Sequence, residues 1–235
     1  MARNTTERNI MNVGIIVAGG RSERMGGKVD KAFLSLGPKP VIAYSLQAFE
    51  DCPDIDQVVL VVRRERMDAA RSMAQMFGYS KLERVVASGS KRQISVQNGM
   101  DAVDEDCTVV AVHDGARPCV TSEIVSKTVQ SAKRYGSGVA AYKLTDTIKY
   151  VERGFKVSKT VDRNKLWAVQ TPQAFKREVL VDALAEVKKK KVTVTDEASA
   201  VERAGDTVRL VPSSPSNIKV TTADDLVLAA ALLRL

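Results

Sequence analysis

The chain has 235 residues, of which 44% are hydrophobic and 27% charged, a composition that excludes a fibrous or largely disordered protein. Lysine and arginine number 36 against 28 acidic residues, and the net charge of +8 indicates an anionic partner such as nucleic acid, an acidic lipid or a polyphosphate. Aromatic residues make up only 5%, which leaves few side chains to stack on nucleic-acid bases.

Targeting signals and cysteine pairs are not evident in the sequence. No apolar run reaches the roughly 18 residues of a membrane-spanning helix. Residues 1–11 lack the apolar core of a signal peptide and are predicted to form a short polar tail. Cys52, Cys107 and Cys119 fit no zinc spacing, and their odd number argues against a disulfide framework. We therefore expect a cytoplasmic protein that does not contact membranes.

Apolar runs alternate with helical repeats along about the first 140 residues. The patterns predict strands at 12–18, 57–62, 84–87, 108–112 and 138–143. They predict helices at 39–51, 64–77, 91–103 and 122–135. Because the strand runs are continuously apolar, they are typical of a parallel sheet that is covered by helices on both faces.

The alternation breaks at 144–165, where two polar, β-prone runs flank Glu152-Arg153-Gly154 and predict a hairpin. So little apolar surface indicates an arm that projects from the core, and covering such an arm favours a homodimer. The remaining patterns predict strands at 167–170 and 207–211 and helices at 176–187, 196–204 and 223–234. The chain is thus predicted to be an α/β protein in which 12–235 form one domain with an inserted arm.

A glycine loop, AGGRSERMGGKVDK, runs from Ala18 to Lys31 directly after the first strand. Glycines allow backbone N–H groups to approach phosphate oxygens closely, and Arg24 and Lys31 add positive charge. The loop has neither the Gly-Lys-Ser/Thr of a P-loop nor the GxGxxG of dinucleotide-binding proteins. It indicates phosphate binding; an ordinary strand-to-helix turn with solvated arginines is the alternative.

The loop resembles the signature of nucleotidyltransferases, in which an Arg-Met pair is followed by a lysine seven residues after the arginine, as in Arg24, Met25 and Lys31. Four later segments follow in order: HDGARP at 113–118, TVDRNKLWAVQTPQAF at 160–175, TDEASAVE at 195–202 and NIKVT at 217–221. Together, over about residues 12–234, they resemble the 2-C-methyl-D-erythritol 4-phosphate cytidylyltransferase family.

The resemblance implies a Rossmann-like nucleotidyltransferase fold with a mostly parallel central sheet, helices on both faces and a projecting β-arm. It implies an enzyme of isoprenoid precursor biosynthesis that transfers CMP from CTP to 2-C-methyl-D-erythritol 4-phosphate and releases pyrophosphate. It also implies a divalent cation, Mg²⁺, and a homodimer in which the arms are exchanged.

Other functions remain open on the sequence alone. Ribitol 5-phosphate cytidylyltransferases share the glycine loop, an HDxxRP-like segment and TPQ, although Asp162-Arg163-Asn164 favours the first family. The glycine loop taken alone is also similar to molybdenum-cofactor guanylyltransferases. A non-catalytic nucleotide- or RNA-binding protein would use the positive charge, but the basic residues cluster at loop ends rather than along one helix. We therefore expect no nucleic-acid partner.

The resemblance also implies roles for individual residues. The implied catalytic residues are Arg24, Lys31, Arg163 and Lys219. The implied nucleotide-binding residues are Ala18, Gly19, Gly20, Gly89, Arg92, Ser95 and Ala116. The implied acceptor-binding residues are Asp114, Arg117, Thr147, Arg163, Thr171 and Thr195, with Thr147 and Arg163 contributed by the partner subunit. Asp114, with Asn217 as a second candidate, is the implied ligand of the metal.

Two positions depart from the family pattern, which usually has glycine where this chain has Ser22 and proline where it has Asp30. We expect Asp30, beside Lys31, to weaken the attraction of that lysine for phosphate. His113 is the only histidine. Because attack by a phosphate oxygen needs no strong base, we expect His113 to tether the Asp114 loop rather than to transfer protons.

Overall fold

The computed structural model describes residues 11–20 and 30–235. Its strands are β1 (Met11–Ala18), β2 (Ser35–Leu36), β3 (Lys39–Pro40), β4 (Gln57–Val62), β5 (Leu82–Ala87), β6 (Cys107–Asp114), β7 (Ser137–Lys143), β8 (Ile148–Val151), β9 (Val157–Val161), β10 (Trp167–Lys176) and β11 (Leu210–Pro212). Its α-helices are α1 (Val41–Glu50), α2 (Met67–Phe77), α3 (Arg92–Met100), α4 (Ser122–Tyr135), α5 (Arg177–Lys189), α6 (Glu197–Ala204) and α7 (Ala223–Leu233). None of the helices in these ranges is both long and apolar enough to cross a membrane.

A seven-stranded sheet in the order β11-β7-β10-β6-β1-β4-β5 forms the centre of the molecule. β1 pairs in parallel with β4 and β6, β4 with β5, and β11 with β7, whereas β10 runs antiparallel between β6 and β7. The predicted mostly parallel sheet is therefore confirmed. β2 and β3 form a separate small hairpin that the sequence patterns did not predict.

Helices cover both faces of the sheet. Neighbouring residues of a strand point to opposite faces, so each packs against a different set of helices. In β1, Ile16 packs into the cluster that contains side chains of α1, α2 and α4. Ile15 packs into the cluster on the other face, which contains side chains of α3, α5 and α6. Both isoleucines are fully buried, which explains why β1 is apolar along nearly its whole length.

Several predicted boundaries were wrong; the strand predicted at 207–211, for example, is the shorter β11 at Leu210–Pro212. β1 begins at Met11, inside the predicted 1–11 tail, because Met11 pairs with Cys107 of β6. The strand predicted at 167–170 continues to Lys176, although the sequence places Pro172 and polar Gln173 in its path. A register shift between Val169 and Gln173 takes the proline into the strand.

The hairpin predicted within 144–165 is present as the two-stranded sheet β8–β9. It is separate from the central sheet, and the turn between its strands is exposed. Phe155, in that turn, is fully exposed, and Tyr150 of β8 is half-exposed. The arm therefore has no core of its own within the described part of this chain.

Candidate active site

The ends of four neighbouring parallel strands surround a cleft of about 690 Å³. Ala18 ends β1, Arg63 follows β4, Ser88 follows β5 and Asp114 ends β6. The carboxyl ends of parallel strands lie at one edge of a sheet, which is where open α/β proteins bind their ligands. The cleft is therefore the candidate active site.

All of the residues predicted to bind the nucleotide line this cleft, together with two predicted catalytic lysines and Asp114. The cleft-lining residues predicted from the sequence are Ala18, Gly19, Gly20, Lys31, Gly89, Arg92, Ser95, Asp114, Ala116 and Lys219. Arg24 lies outside the described residues.

Two glycines keep bare backbone at the wall of the cleft. A Cβ on Gly19 would lie 2.1 Å from Cβ of Ser88, and a Cβ on Gly89 would lie 2.2 Å from Cγ2 of Ile94. Both distances are far shorter than van der Waals contact, so neither position accepts a side chain without movement. The close packing leaves main-chain groups exposed to a ligand, as phosphate- and base-binding loops require.

Ser95, in the first turn of α3, is buried and holds the adjacent loop. Its Oγ accepts a hydrogen bond from the Gly89 N–H at 3.1 Å and donates to the Lys91 carbonyl at 3.2 Å. These two bonds fix the turn from Gly89 to Lys91. The residues of that turn and Ser95 line the cleft together with Lys31 and the end of β1.

Asp114 is the centre of an ion-pair network at the base of the cleft. Its Oδ1 accepts a hydrogen bond from Arg92 Nε at 3.1 Å, and its Oδ2 accepts one from Lys219 Nζ at 2.7 Å. Arg117 Nε lies 3.8 Å from Oδ2. Burial alone would raise the pKa of Asp114, but Arg92 and Lys219 hold it well below the ordinary value. Asp114 is therefore a carboxylate at neutral pH.

Arg92 connects this carboxylate to a second one. Its two terminal nitrogens donate to the carboxylate of Glu197, which is only 2% exposed. Burial opposes the charge of Arg92, yet Glu197 and then Asp114 raise its pKa above the ordinary value. With Lys219 and Arg117 included, three cations face two carboxylates, so the network keeps a net positive charge of one.

Polar groups of β10 and of the loop before α7 hold the Asp114 loop from behind. Thr171 Oγ1 accepts a hydrogen bond from the Asp114 N–H at 3.0 Å and lies 3.0 Å from His113 Nδ1. Arg117 Nη1 donates to the Asn217 carbonyl at 2.7 Å, and Asn217 Nδ2 donates to the Thr171 carbonyl at 2.8 Å. The predicted tethering role of His113 agrees with its contacts to Thr171 and the Arg117 carbonyl.

Three predicted acceptor-site residues lie elsewhere in this chain. Thr147 precedes β8 and is exposed, and Arg163 follows β9, where its Nη1 donates to the carbonyl of Thr145. Thr195 is outside the cleft lining as well, with its hydroxyl 3.2 Å from that of Ser199. Thr147, Arg163 and Thr195 therefore neither line the cleft of their own chain nor contact Asp114 through a hydrogen bond described above.

Sequence reasoning missed several residues of the cleft and its support. The additional polar residues are Arg63, Arg64, Glu65, Ser88 and the buried Glu197. Arg63 and Arg64 had a usable signal, because they follow the apolar run of β4 directly and so must lie at the carboxyl edge of the sheet. Glu197 lies in the TDEASAVE motif, but no local pattern indicated its pairing with Arg92, which is 105 residues away in the chain.

A divalent cation could find few protein ligands here. Within 11–20 and 30–235, no group of three or more His, Cys, Asp or Glu side chains is arranged to hold a metal. Asp114 supplies one carboxylate, and Oδ1 of Asn217 is a buried oxygen without a hydrogen-bond partner among the described residues. Because Asn217 does not line the cleft, Asp114 fits an ion such as Mg²⁺ only when phosphate oxygens complete its coordination, which is how Mg²⁺ usually binds beside nucleotides.

The family model described as IspD, 2-C-methyl-D-erythritol 4-phosphate cytidylyltransferase, matches residues 12–235. The chain belongs to this family. The family member from Caldanaerobacter subterraneus subsp. tengcongensis is 40% identical over 226 residues, which cover 95% of this chain and 100% of that protein. The one from Alkaliphilus oremlandii is 37% identical over 221 residues, 94% of each chain.

Solved structures agree with this assignment. The structure of 4-diphosphocytidyl-2C-methyl-D-erythritol synthase from Anaerococcus prevotii superposes with a TM-score of 0.84 at 27% identity, covering 96% of this chain and 99% of that one. The 2-C-methyl-D-erythritol 4-phosphate cytidylyltransferase from Thermus thermophilus gives 0.78 at 28% identity, covering 94% and 98%. The expected fold class of the nucleotidyltransferases is thereby confirmed.

Proposed function

We propose that this protein transfers CMP from CTP to 2-C-methyl-D-erythritol 4-phosphate, giving 4-diphosphocytidyl-2-C-methyl-D-erythritol and pyrophosphate, a step of isoprenoid precursor biosynthesis. The observation that carries the proposal is the cleft of this family member, in which Lys31 and Lys219 line the same cavity as the bare backbone of Gly19 and Gly89.

The cleft suits the charge of the reactants. A phosphate oxygen of the acceptor attacks the α-phosphorus of CTP, the bond from that phosphorus to the bridging oxygen breaks, and pyrophosphate leaves with the electron pair. Such a transfer needs no covalent nucleophile, so catalysis consists of positioning and of neutralising the phosphate charges. Lys31 and Arg24 hold the triphosphate and the leaving group, while Lys219 reaches the α-phosphate.

Asp114 positions the basic side chains of the cleft and does not act as a general base. Its carboxylate fixes the positions of Arg92 and Lys219 and orients Arg117 towards the acceptor phosphate. His113 does not act as a general base, because its ring is fully buried and bonded to Thr171 and the Arg117 carbonyl. Thr171, whose Oγ1 accepts a hydrogen bond from the Asp114 N–H, lies beside Asp114 and completes the acceptor site in this proposal.

Mg²⁺ belongs to the proposal as a cofactor that enters with CTP. Asp114 would hold it together with phosphate oxygens, and the ion would lower the negative charge of the triphosphate. The one-carboxylate donor set described above supports an ion shared with the nucleotide, rather than one bound by the protein alone.

We also propose a homodimer with exchanged arms. The support is the hairpin β8–β9, whose apolar side chains are exposed in a single chain, and the absence of the arm residues Thr147 and Arg163 from the cleft lining of their own chain. In the dimer, Thr147 and Arg163 contact the acceptor in the partner's cleft. We place the enzyme in the cytoplasm, where its three unpaired cysteines stay reduced.

The deciding experiment is a turnover assay with CTP, Mg²⁺ and 2-C-methyl-D-erythritol 4-phosphate, in which pyrophosphate release is measured and the product is identified by its mass. Parallel reactions contain ribitol 5-phosphate as acceptor, or UTP and ATP as donors. We expect rapid turnover only with CTP and the methylerythritol phosphate. Faster turnover with ribitol 5-phosphate, or pyrophosphate release without an acceptor, would refute the proposed substrate.

A further inference from the structure

The residue before Lys31 is a buried acid that holds two arginines. The carboxylate of Asp30 is 1% exposed, and its Oδ2 lies 2.9 Å from Arg63 Nη2 and 3.3 Å from Arg66 Nε. The sequence led us to expect that Asp30 would weaken the attraction of Lys31 for phosphate. The structure instead places its charge against Arg63 and Arg66, two cations of the segment that follows β4.

These contacts connect the segment after β4 to the turn that carries Lys31. The Asp30 carbonyl accepts a hydrogen bond from the Phe33 N–H at 3.0 Å, so Asp30 begins the short 3-10 turn Lys31–Phe33. The guanidinium of Arg66 also lies over the ring of Phe33, 5.3 Å from its centroid. Arg66 therefore holds this turn at both of its ends.

Between the two bound arginines lies a third one, Arg64, whose side chain is exposed and lines the cleft. Its backbone is fixed by the 3-10 turn Arg64–Arg66, in which the Arg66 N–H donates to the Arg63 carbonyl at 2.8 Å. The neighbouring Glu65 also lines the cleft, but its carboxylate pairs with Arg63 Nη1 at 3.2 Å. Three arginines against two acids leave this wall with one positive charge. Arg63 lines the cleft as well, but it pairs with Asp30 and Glu65, whereas Arg64 has no ion pair among the described residues.

We propose that Arg64 binds the terminal phosphates of CTP, and that Asp30 is a positioning residue that sets both Arg64 and Lys31 through Arg63 and Arg66. This inference rests on the proposed function. The chemistry favours the terminal phosphates because they carry most of the charge of the nucleotide and because a guanidinium can donate two hydrogen bonds to one phosphate. Lys31, in the turn that Asp30 begins, lines the same cavity.

Arg64→Ala tests the contact. The matched control is Arg71→Ala, which removes the same charge from α2, where Arg71 is exposed, pairs with Asp68 and does not line the cleft. Calorimetry would measure the affinities of CTP, pyrophosphate and CMP, and steady-state kinetics would give kcat and both KM values. We expect Arg64→Ala to weaken CTP and pyrophosphate binding by roughly 5- to 30-fold, as for a charge-assisted contact at an exposed rim.

The affinity for CMP distinguishes the loss of this one contact from general damage to the nucleotide site. Because CMP lacks the terminal phosphates, its affinity should stay within twofold in Arg64→Ala, as should the KM for the acceptor. An equal loss of CTP affinity in Arg71→Ala, or an unchanged affinity in Arg64→Ala, would overturn the assignment of Arg64.

Asp30→Asn tests the positioning role and removes the charge without changing the shape. Its control is Asp54→Asn, since Asp54 is a partly buried acid that also has several partners, Ser126, Gln130 and Lys133, and does not line the cleft. Both variants should lower the melting temperature, but only Asp30→Asn should raise the KM for CTP, by roughly 3- to 10-fold, with a smaller effect on the KM for the acceptor.

If both variants lose stability while their KM values for CTP match the wild type, Asp30 is merely structural and the positioning role is refuted. The binding measurements on Arg64→Ala and Arg71→Ala do not depend on turnover. A wild-type protein that binds CTP and pyrophosphate without consuming methylerythritol phosphate would contradict the proposed function, while the comparison of Arg64→Ala with Arg71→Ala would still decide the inference.

Discussion

Asp114 keeps a negative charge in a place that is 7% exposed, and it can do so only because three basic side chains surround it. A buried charge without partners would cost several kcal/mol, so each partner matters more here than at the surface. The same arrangement fixes Lys219 and Arg92 before any substrate arrives. Preorganised charges of this kind are what a phosphoryl-type transfer requires.

Unlike Asp114, His113 is kept uncharged by burial. Its ring is completely buried between Phe49 and Thr171, and burial lowers its pKa to about 3. In the unfolded chain its pKa returns to the ordinary value of 6.5. Between those two values the unfolded chain binds a proton that the folded protein does not bind. The pKa is lower in the folded state, so stability falls as the pH is lowered through 6.5.

We therefore predict that the free energy of unfolding decreases by about 1 kcal/mol between pH 6 and pH 5, close to the 2.303RT per pH unit for one proton. Urea denaturation at both pH values measures this decrease. Few carboxylates of the unfolded chain bind protons above pH 5, and His113 is the only histidine. His113→Asn should be less stable at both pH values but nearly independent of pH in this range. An equal pH dependence in the variant would assign the effect to other groups.

At the scale of single residues, what the sequence could predict depends on how far apart in the chain two interacting residues lie. Lys31, Asp114 and Lys219 each lie in a local motif, and all three line the cleft. Glu197 also lies in such a motif, TDEASAVE, yet its pairing with Arg92 joins parts of the chain that only the tertiary fold brings together. No local pattern indicates such a pair, so it could not be predicted.

The elements that end at the cleft depend on small residues at their ends. Gly19 follows β1 and packs against Ser88, which follows β5, across β4 between them. Ser88 contacts this position with its Cβ, which no rotation can remove. Gly20, the next residue, has no heavy atom within 4 Å of an added Cβ. The two glycines therefore offer a matched pair of substitutions.

We predict that Gly19→Ala destabilises the protein by about 1–3 kcal/mol, as overpacking of a tight contact does, and weakens CTP binding because the loop must move. Gly20→Ala should leave the free energy of unfolding within about 0.5 kcal/mol of the wild type. Denaturation curves and calorimetric CTP titrations of both variants test this. Equal stability of the two variants would show that the loop accommodates a methyl group without movement.

The first turn of α6 connects a helix cap to the cleft. Asp196 and Ser199 form a reciprocal capping box, and Gln173 of β10 donates to Asp196 while accepting from the Ala198 N–H. Glu197, which holds Arg92, lies within this cap. The position of Arg92 therefore depends on the cap of a helix from a distant part of the sequence.

Asp196→Ala should cost about 0.5–2 kcal/mol of stability, the usual range for a helix cap, and should also lower kcat/KM because Glu197 loosens its hold on Arg92. Gly136→Ala is the control. Gly136 ends α4 at a φ of +88°, so alanine is strained there, but it lies at the start of β7, at the edge of the sheet opposite the cleft. A comparable loss of kcat/KM in Gly136→Ala would mean that activity follows stability alone.

At the scale of the whole molecule, the alternation of strands and helices was enough to predict the sheet and its covered faces. The antiparallel placement of β10 was not predicted, because its direction depends on which neighbours it pairs with, β6 and β7, rather than on its own residues. The position of Arg63 and Arg64 in the wall of the cleft likewise follows from the strand order, which places β4 beside β1. Strand order is a property of the tertiary fold.

The arm is the other feature that belongs to this scale. Its apolar side chains, with those at the start of β10, form an exposed set in a single chain: Tyr150, Val151, Phe155, Val157, Trp167 and Val169. An isolated two-stranded ribbon is marginally stable in water, so such a set favours cover by another chain. Under the proposed arm exchange, the cover is a second copy, whose cleft receives Arg163.

This proposal predicts complementation between two inactive variants. Lys31→Ala damages the cleft of its own chain, whereas Arg163→Ala damages the arm that serves the partner's cleft. In a mixed dimer, one cleft then has both an intact lysine and an intact arm, and the other carries both lesions. Random exchange puts about half of the dimers in the mixed state, so activity should recover to about a quarter of the wild-type value per subunit. The control is the same mixture without subunit exchange, and differently tagged chains verify the exchange. If activity stays at zero after exchange is verified, Arg163 serves its own chain or has no part in the reaction, and the arm-exchange proposal fails.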